Sequence, residues 1–454
     1  MEKDKTKYEE SKMGTMPINR LLSQMAWPAI LSMTINALYN IVDSIFVAMI
    51  SEDALTAVSL ILPIHLLMIS VGVGSGVGVN SLISRKLGAR NFEDANKAAS
   101  TSIRIALLNF VGFAVLGIFF ATPFINSYQT NDFISENAIA YFKITTIFSC
   151  FLMIQIILEK VLQATGNMIA PMLFSLTGAI VNIILDPILI FGLFGAPKLG
   201  VPGAAIATVI GQFCAMCLAI FIVFTREHEV IIKVRGFKLD WKVVKDIYVV
   251  GLPSIIMQSI GSVMLIGYNA ILATVSSTAV AVLGAYFKFQ SFVFMPVFGL
   301  NQGAMPIMGY NYGARDKKRL METYKKALVA AMVVMTLGMV IFQVFPRQLL
   351  MLFSASDDMI AMGVPALRII SICFIPAAFG IITSTFFQGT GHGVYSLMAS
   401  VLRQLVGILP IAYFLVKTAG ITASWLSFPI AELIGLTYSA VAARHLYKKE
   451  IKDL

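Results

Sequence analysis

The sequence predicts an all-α polytopic membrane protein, twelve transmembrane helices in two six-helix lobes. Three observations predict it. Of 454 residues, 58% are hydrophobic and 13% charged, and the mean hydropathy is +0.83; a soluble domain is about a quarter charged. Twelve apolar segments each exceed the roughly 20 residues needed to cross a bilayer. The halves also repeat. Gly88-Ala89-Arg90 recurs as Gly313-Ala314-Arg315, Gln163-Ala164-Thr165-Gly166 as Gln388-Gly389-Thr390-Gly391, and Trp27-Pro28 as Leu252-Pro253, all at one constant offset along the chain. Six helices per half give both halves one orientation, so a pseudo-two-fold along the membrane normal is expected.

Residues 1–20 read as a charged cytoplasmic arm with no cleaved signal peptide, and the first apolar segment as an uncleaved anchor. The first lobe, 21–225, contains segments at about 21–50, 54–84, 98–120, 138–162, 168–193 and 201–225. A basic inter-lobe loop follows at 226–246. The second lobe, 247–443, contains segments at about 247–275, 278–310, 323–345, 359–387, 394–417 and 420–443, and 444–454 is the tail. With both termini in the cytoplasm, the inside segments hold 25 Lys and Arg, the outside loops only Lys198, Arg347 and Lys417. The positive-inside rule therefore predicts a multi-pass inner-membrane protein with both termini cytoplasmic. The net charge of +10 belongs to those loops and calls for no nucleic acid. A duplicated chain with a charged middle loop is a transporter plan, rarely that of a channel or receptor.

Enzyme readings find no support. Gly72-Val-Gly-Ser-Gly-Val-Gly78 holds two overlapping G-x-x-x-G pairs, which suit close helix packing, but neither G-x-G-x-x-G nor G-x-S-x-G. No H-E-x-x-H is present. Cys214 and Cys217 form a C-x-x-C without a second ligand pair, in a stretch that reads as buried helix. No cofactor is expected.

Function is sought in the acids at membrane depth, where a charge costs about 2.5–3.5 kcal/mol on insertion scales. Four acids fall within spans: Asp43, Glu159, Asp186 and Glu432. In Ser175–Phe191, Asn182 and Asp186 share a helix face with Ser175, and Pro187 follows. On the first helix, Asn36, Asn40 and Asp43 form a polar stripe. Asp43 and Asp186 each lie seven residues before the outer end of their span, so they reach matching depth. Two carboxylates there can share a proton or hold Na⁺ with amide and carbonyl oxygens. Glu159 sits beside Lys160 and reads equally as a local charge or a functional one. Glu432 is expected in a second-lobe cavity. Lys288, Arg368 and Arg403 are also intramembrane and either pair with Glu432 or line that cavity.

The run Gly299-Leu-Asn-Gln-Gly-Ala-Met-Pro306 through Gly309-Tyr-Asn-Tyr-Gly-Ala-Arg315 resembles the signature of the multidrug and toxic compound extrusion (MATE) family. So do Asn182…Asp186-Pro-Ile-Leu-Ile-Phe-Gly192 and the Q-x-T-G repeats. The resemblance spans about 16–445 and looks closest to the DinF- and MepA-like bacterial branch. It implies alternating-access export of lipophilic, often cationic drugs in exchange for H⁺ or Na⁺, by a monomer in the lipid bilayer. It also implies a first-lobe cation site at Asp43, Asn182 and Asp186, with Tyr141 nearby; Glu159 matches a position that is polar or acidic in relatives. The second-lobe acids of the NorM-like branch are missing. Gln258, Tyr268 and Lys288 stand in those spans instead. The rival reading is a flippase of lipid-linked oligosaccharides from the same superfamily.

Overall fold

In a computed structural model, the described residues are 11–226, 229–233, 240–352 and 355–454. The first half of the expected arm, and 227–228 and 234–239 of the expected loop, lie outside them. Among the described residues, ten helices are long and apolar enough to cross a membrane. Two further pairs pass the same test together: Asp132–Ile147 (α5) with Cys150–Ala164 (α6), bent by 46°, and Asp357–Ser371 (α13) with Phe374–Gly389 (α14), bent by 47°. Counting each pair as one span gives the expected twelve. The two bent pairs start at positions related by the offset of the repeat and bend almost equally, so the duplication read from motifs extends to backbone geometry. In the first break, Thr145 and Thr146 donate back to the carbonyls of Tyr141 and Phe142, at 2.9 and 2.6 Å, which loosens the helix there.

The repeated motifs are helix stops. Arg90 and Arg315 both take left-handed backbone (φ 54° and 57°), as do Gly166 and Gly391 (φ 80° and 90°). The residue after each arginine donates its N–H back across the turn: Asn91 to Lys86 O and Asp316 to Asn311 O, both 2.9 Å. This satisfies carbonyls that a helix end leaves bare. Asn91 and Asp316 then cap the next helices, accepting from Asp94 N at 3.0 Å and Arg319 N at 2.9 Å.

Contacts divide the helices into two units, Leu31–Gly251 in one, residues 11–30 and Leu252–Leu454 in the other. The first contains most of Ile18–Ala48 (α2), then Glu52–Gly88 (α3), Phe92–Asn126 (α4), α5, α6, Ile169–Phe191 (α7) and Val201–Thr225 (α8). The second contains the short Lys12–Thr15 (α1), most of Trp241–Ala273 (α9), then Ser277–Gly313 (α10), Lys317–Val344 (α11), Pro346–Met351 (α12), α13, α14, and the stretch Gly393–Leu446, which includes a π-helix at Leu402–Ile408 and the helix Ser427–Leu446. The boundaries differ from those expected. Residues 21–30 pack with the second unit and 247–251 with the first. Glycines explain both. A Cβ on Gly299 or Gly303 would come within 2.5 Å of Ile30 Cγ1 or 2.8 Å of Ala26 N. At the repeat-equivalent positions of the first half, Gly74 O lies against Gly251, and a Cβ on Gly78 would strike the Ile247 carbonyl. Gly72 and Gly76, the other pair in the glycine run, lie against Ile156 and Lys160 of α6. Hydropathy marks a span but not the neighbour it packs on.

Candidate functional site

In the first unit, α2 and α7 pair in parallel register. Ser32 Oγ donates to Ser175 Oγ at 2.8 Å. Eleven residues further along each helix, about 16 Å along the axis, the carboxyls of Asp43 and Asp186 lie within hydrogen-bonding reach of each other. Asn182 Nδ2 donates to Asp186 Oδ1 and to Thr208 Oγ1 of α8, both at 3.3 Å. The hydroxyls of Tyr39 and Tyr141 meet the same Thr208. Asn182 and Asp186 are 1% and 0% exposed. Tyr141 belongs to an apolar cluster with Val47, Ala57, Phe142 and Ile190, which closes one side of the site.

Three buried oxygens here have no partner: Asp43 Oδ1, Asn182 Oδ1 and Asp186 Oδ2. They are three of seven such side-chain atoms among the described residues, and an orphaned buried acceptor is costly. An ionised carboxylate only accepts hydrogen bonds. Two carboxyls in contact therefore need something positive between them, a proton or a cation. The donor set is hard oxygen only, which suits Na⁺ or H⁺ and not a soft transition metal. Among the described residues, no three His, Cys, Asp or Glu side chains are grouped as metal ligands.

Asp43, Asn182, Asp186 and Tyr141 thus come together. Glu159 does not join them: its Oε1 accepts from Gln163 Nε2 at 2.8 Å and lies 3.5 Å from Lys160 Nζ. The reason is local, since its partners are the next residue and the next turn. Asn36 and Asn40 are exposed, and Asn40 Nδ2 donates to Asn36 O at 2.8 Å. Cys217, expected in a buried helix, is exposed.

Tyr39 and Thr208 were missed from the sequence. Tyr39 stands one turn before Asp43. The signal for Thr208 was the small-residue run Gly203, Ala207, Gly211 on α8. A Cβ on Gly203 would lie 2.6 Å from Leu189 O, and one on Gly211 2.7 Å from Gly178 O. Backbones that close bring a short hydroxyl to Asn182.

The second unit does not repeat the site. At the offset of the repeat, the counterparts of Asp43, Asn182 and Asp186 are Tyr268, Gly407 and Ile411. Tyr268 is fully buried, its hydroxyl 3.0 Å from Ser424 O and 3.2 Å from Ser427 Oγ. Glu432 is 6% exposed and pairs with Arg403 Nη1, 3.4 Å from each carboxylate oxygen. Gly435 makes room for the Arg403 side chain. Lys288 is exposed on α10, and Arg368 Nε donates to Gln343 O at 3.2 Å.

A family model described as MatE matches residues 28–188 and 253–414. The chain is 28% identical to the multidrug export protein MepA of Staphylococcus haemolyticus over 94% of this chain and 92% of that one. It is 24% identical to the FAD transporter of Shewanella oneidensis, covering 92% of each. Among solved structures, it is similar to an outward-facing multidrug resistance MATE transporter of the MOP superfamily. That match has a TM-score of 0.91 and 25% identity, covering 98% of this chain and 99% of that one. A MOP superfamily transporter from Pyrococcus furiosus, with a binding pocket described as reversed in polarity, matches at TM-score 0.90 and 26% identity, covering 98% and 100%.

Proposed function

The chain belongs to the MatE family, and on that premise we propose that it is a secondary multidrug efflux antiporter, exporting lipophilic cations in exchange for H⁺ or Na⁺. One observation carries the reading: the buried convergence of Asp43, Asn182 and Asp186, with an unpaired oxygen on each. The similarity to multidrug export proteins supports drugs as the cargo.

The exchange rests on competition for charge. With the site empty, the two carboxylates repel each other and attract any cation. When H⁺ or Na⁺ enters, Asp43 and Asp186 are neutralised, α2 is tied to α7, and a cationic drug loses its counter-charge and leaves. Thr208 and the two tyrosines hold Asn182 with its Oδ1 aimed at the ion. Coupling follows because ion and drug favour different states of the same carboxylates. A membrane potential of 100 mV supplies about 2.3 kcal/mol per charge, before any concentration gradient.

The test is transport by purified protein in liposomes, with ethidium as cargo and pH and Na⁺ gradients imposed separately. Uptake driven by either gradient, and lost in Asp186→Asn, supports the antiporter and names its ion. Folded protein that moves no lipophilic cation under either gradient would overturn it. FAD and a lipid-linked oligosaccharide then become the next cargoes to test, matching the similarity to an FAD transporter and the flippase reading.

A further inference from the structure

A groove of about 510 Å³ lies in the second unit among the end of α11, the short α12 and residues 360–368 of α13. Its walls are apolar, formed by Val344, Pro346, Ile360, Val364 and Pro365, and it holds two guanidinium groups, Arg347 and Arg368. The volume falls within the roughly 300–1,000 Å³ of pockets that hold small ligands. Helix α11 leaves a basic stretch, Lys317-Lys318-Arg319, and crosses to end at Val344. The groove is therefore at the end of the span away from the basic loops, where the sequence has few cations.

Arg347 and Arg368 are both exposed at that end of the span, where an anionic group can reach them. Among the described residues, neither forms an ion pair with a carboxylate. Asp357 and Asp358 are close in sequence but sit exposed in the first turn of α13, where helix N-termini favour acids. Arg368 is held in place. Its Nε donates to Gln343 O at 3.2 Å, while Gln343 Nε2 returns bonds to Arg368 O at 2.7 Å and Ser371 Oγ at 2.9 Å. The fork of Nη nitrogens is left for a ligand. Guanidinium matches phosphate oxygens in a bidentate geometry. On the same stretch of chain as the groove residues of α11 and α12, Phe345, Met351 and Leu352 are 49%, 52% and 75% exposed, apolar surface that suits hydrocarbon and not water.

We propose that this groove binds the phosphate of an anionic phospholipid, with Arg347 and Arg368 on the headgroup and the apolar wall along the first acyl carbons. The phosphate would tie α12 to α13 at the membrane surface.

The test is native mass spectrometry of the full chain in detergent, titrated with phosphatidylglycerol or with phosphatidylcholine of the same acyl chains. The expected result is a first phosphatidylglycerol retained in preference to phosphatidylcholine. Each basic group near an anionic surface contributes about fivefold in affinity. Retention should thus weaken about fivefold in Arg347→Gln and about thirtyfold in Arg347→Gln/Arg368→Gln. Arg368 bonds to α11, so Arg347→Glu serves as a second variant. Arg347 is exposed, and its reversal should abolish the preference at unchanged melting temperature. Equal retention by wild type and Arg347→Glu would overturn the proposal. So would displacement of the lipid by inorganic phosphate at equal concentration, because the apolar wall would then contribute nothing.

Discussion

Replacing Asp186 by Asn should leave the protein folded and remove its ion dependence. In the wild type, Asp186 Oδ1 accepts from Asn182 Nδ2 at 3.3 Å while its other oxygen has no partner. An asparagine in the same rotamer keeps the acceptor and turns its Nδ2 toward Asp43, supplying the hydrogen between the two groups permanently. No cavity is made and an orphaned oxygen is removed, so the melting temperature should hold or rise. The ion loses one of two negative charges at contact distance. One charge pair at about 4 Å is worth about 4 kcal/mol at an effective dielectric of 20. Asp43 is half-buried, so solvent screening reduces this to about 2–3 kcal/mol, a factor of roughly 100 in ion affinity. Isothermal titration of Na⁺, together with proton release on adding ethidium, would measure it on purified protein. Ion affinity within threefold of wild type in folded Asp186→Asn would refute the assignment of Asp186, and with it the account of coupling.

Further predictions follow from other parts of the fold. Tyr141→Phe removes a hydroxyl from Thr208 and should weaken ion binding about fivefold, a hydrogen bond being worth about 1 kcal/mol; titration of the purified variant checks it. Glu432→Gln takes the counter-charge from Arg403, whose side chain is 27% exposed, and should destabilise by about 1–3 kcal/mol, whereas Glu432→Leu/Arg403→Met together should recover most of the loss in thermal melts. Gly78→Ala should destabilise by about 1–3 kcal/mol, because the new methyl meets the Ile247 carbonyl. Gly112→Ala, with nothing within 4 Å of its Cβ, should be neutral or slightly stabilising in the same assay.

Much of this was legible in the sequence because membranes impose simple rules. Backbone groups must be satisfied within each span, so hydropathy alone locates helices. An acid at membrane depth is costly enough that Asp43 and Asp186 stood out by position, and equal distance from the ends of their spans predicted that they meet. The internal repeat also paired Gly88-Ala89-Arg90 with Gly313-Ala314-Arg315, and only the structure showed these to be matching helix stops.

Other features depended on tertiary packing. Glu159 carries the same charge as Asp186 at a similar cost, yet Lys160 and Gln163 claim it, and only side-chain geometry separates the two cases. Tyr39 and Thr208 are ordinary residues in composition; they become part of the site because Gly203 and Gly211 let α8 approach α7 closely. The packing of 21–30 with the second unit and of 247–251 with the first depends on which glycine face each helix meets. Arg347 and Arg368 belong to different helices, α12 and α13, and share no motif, so only the fold puts them in one groove. A sequence records what each segment must bury. Which segment does the burying is a property of distances between residues far apart in the chain, and those exist only once the helices have packed.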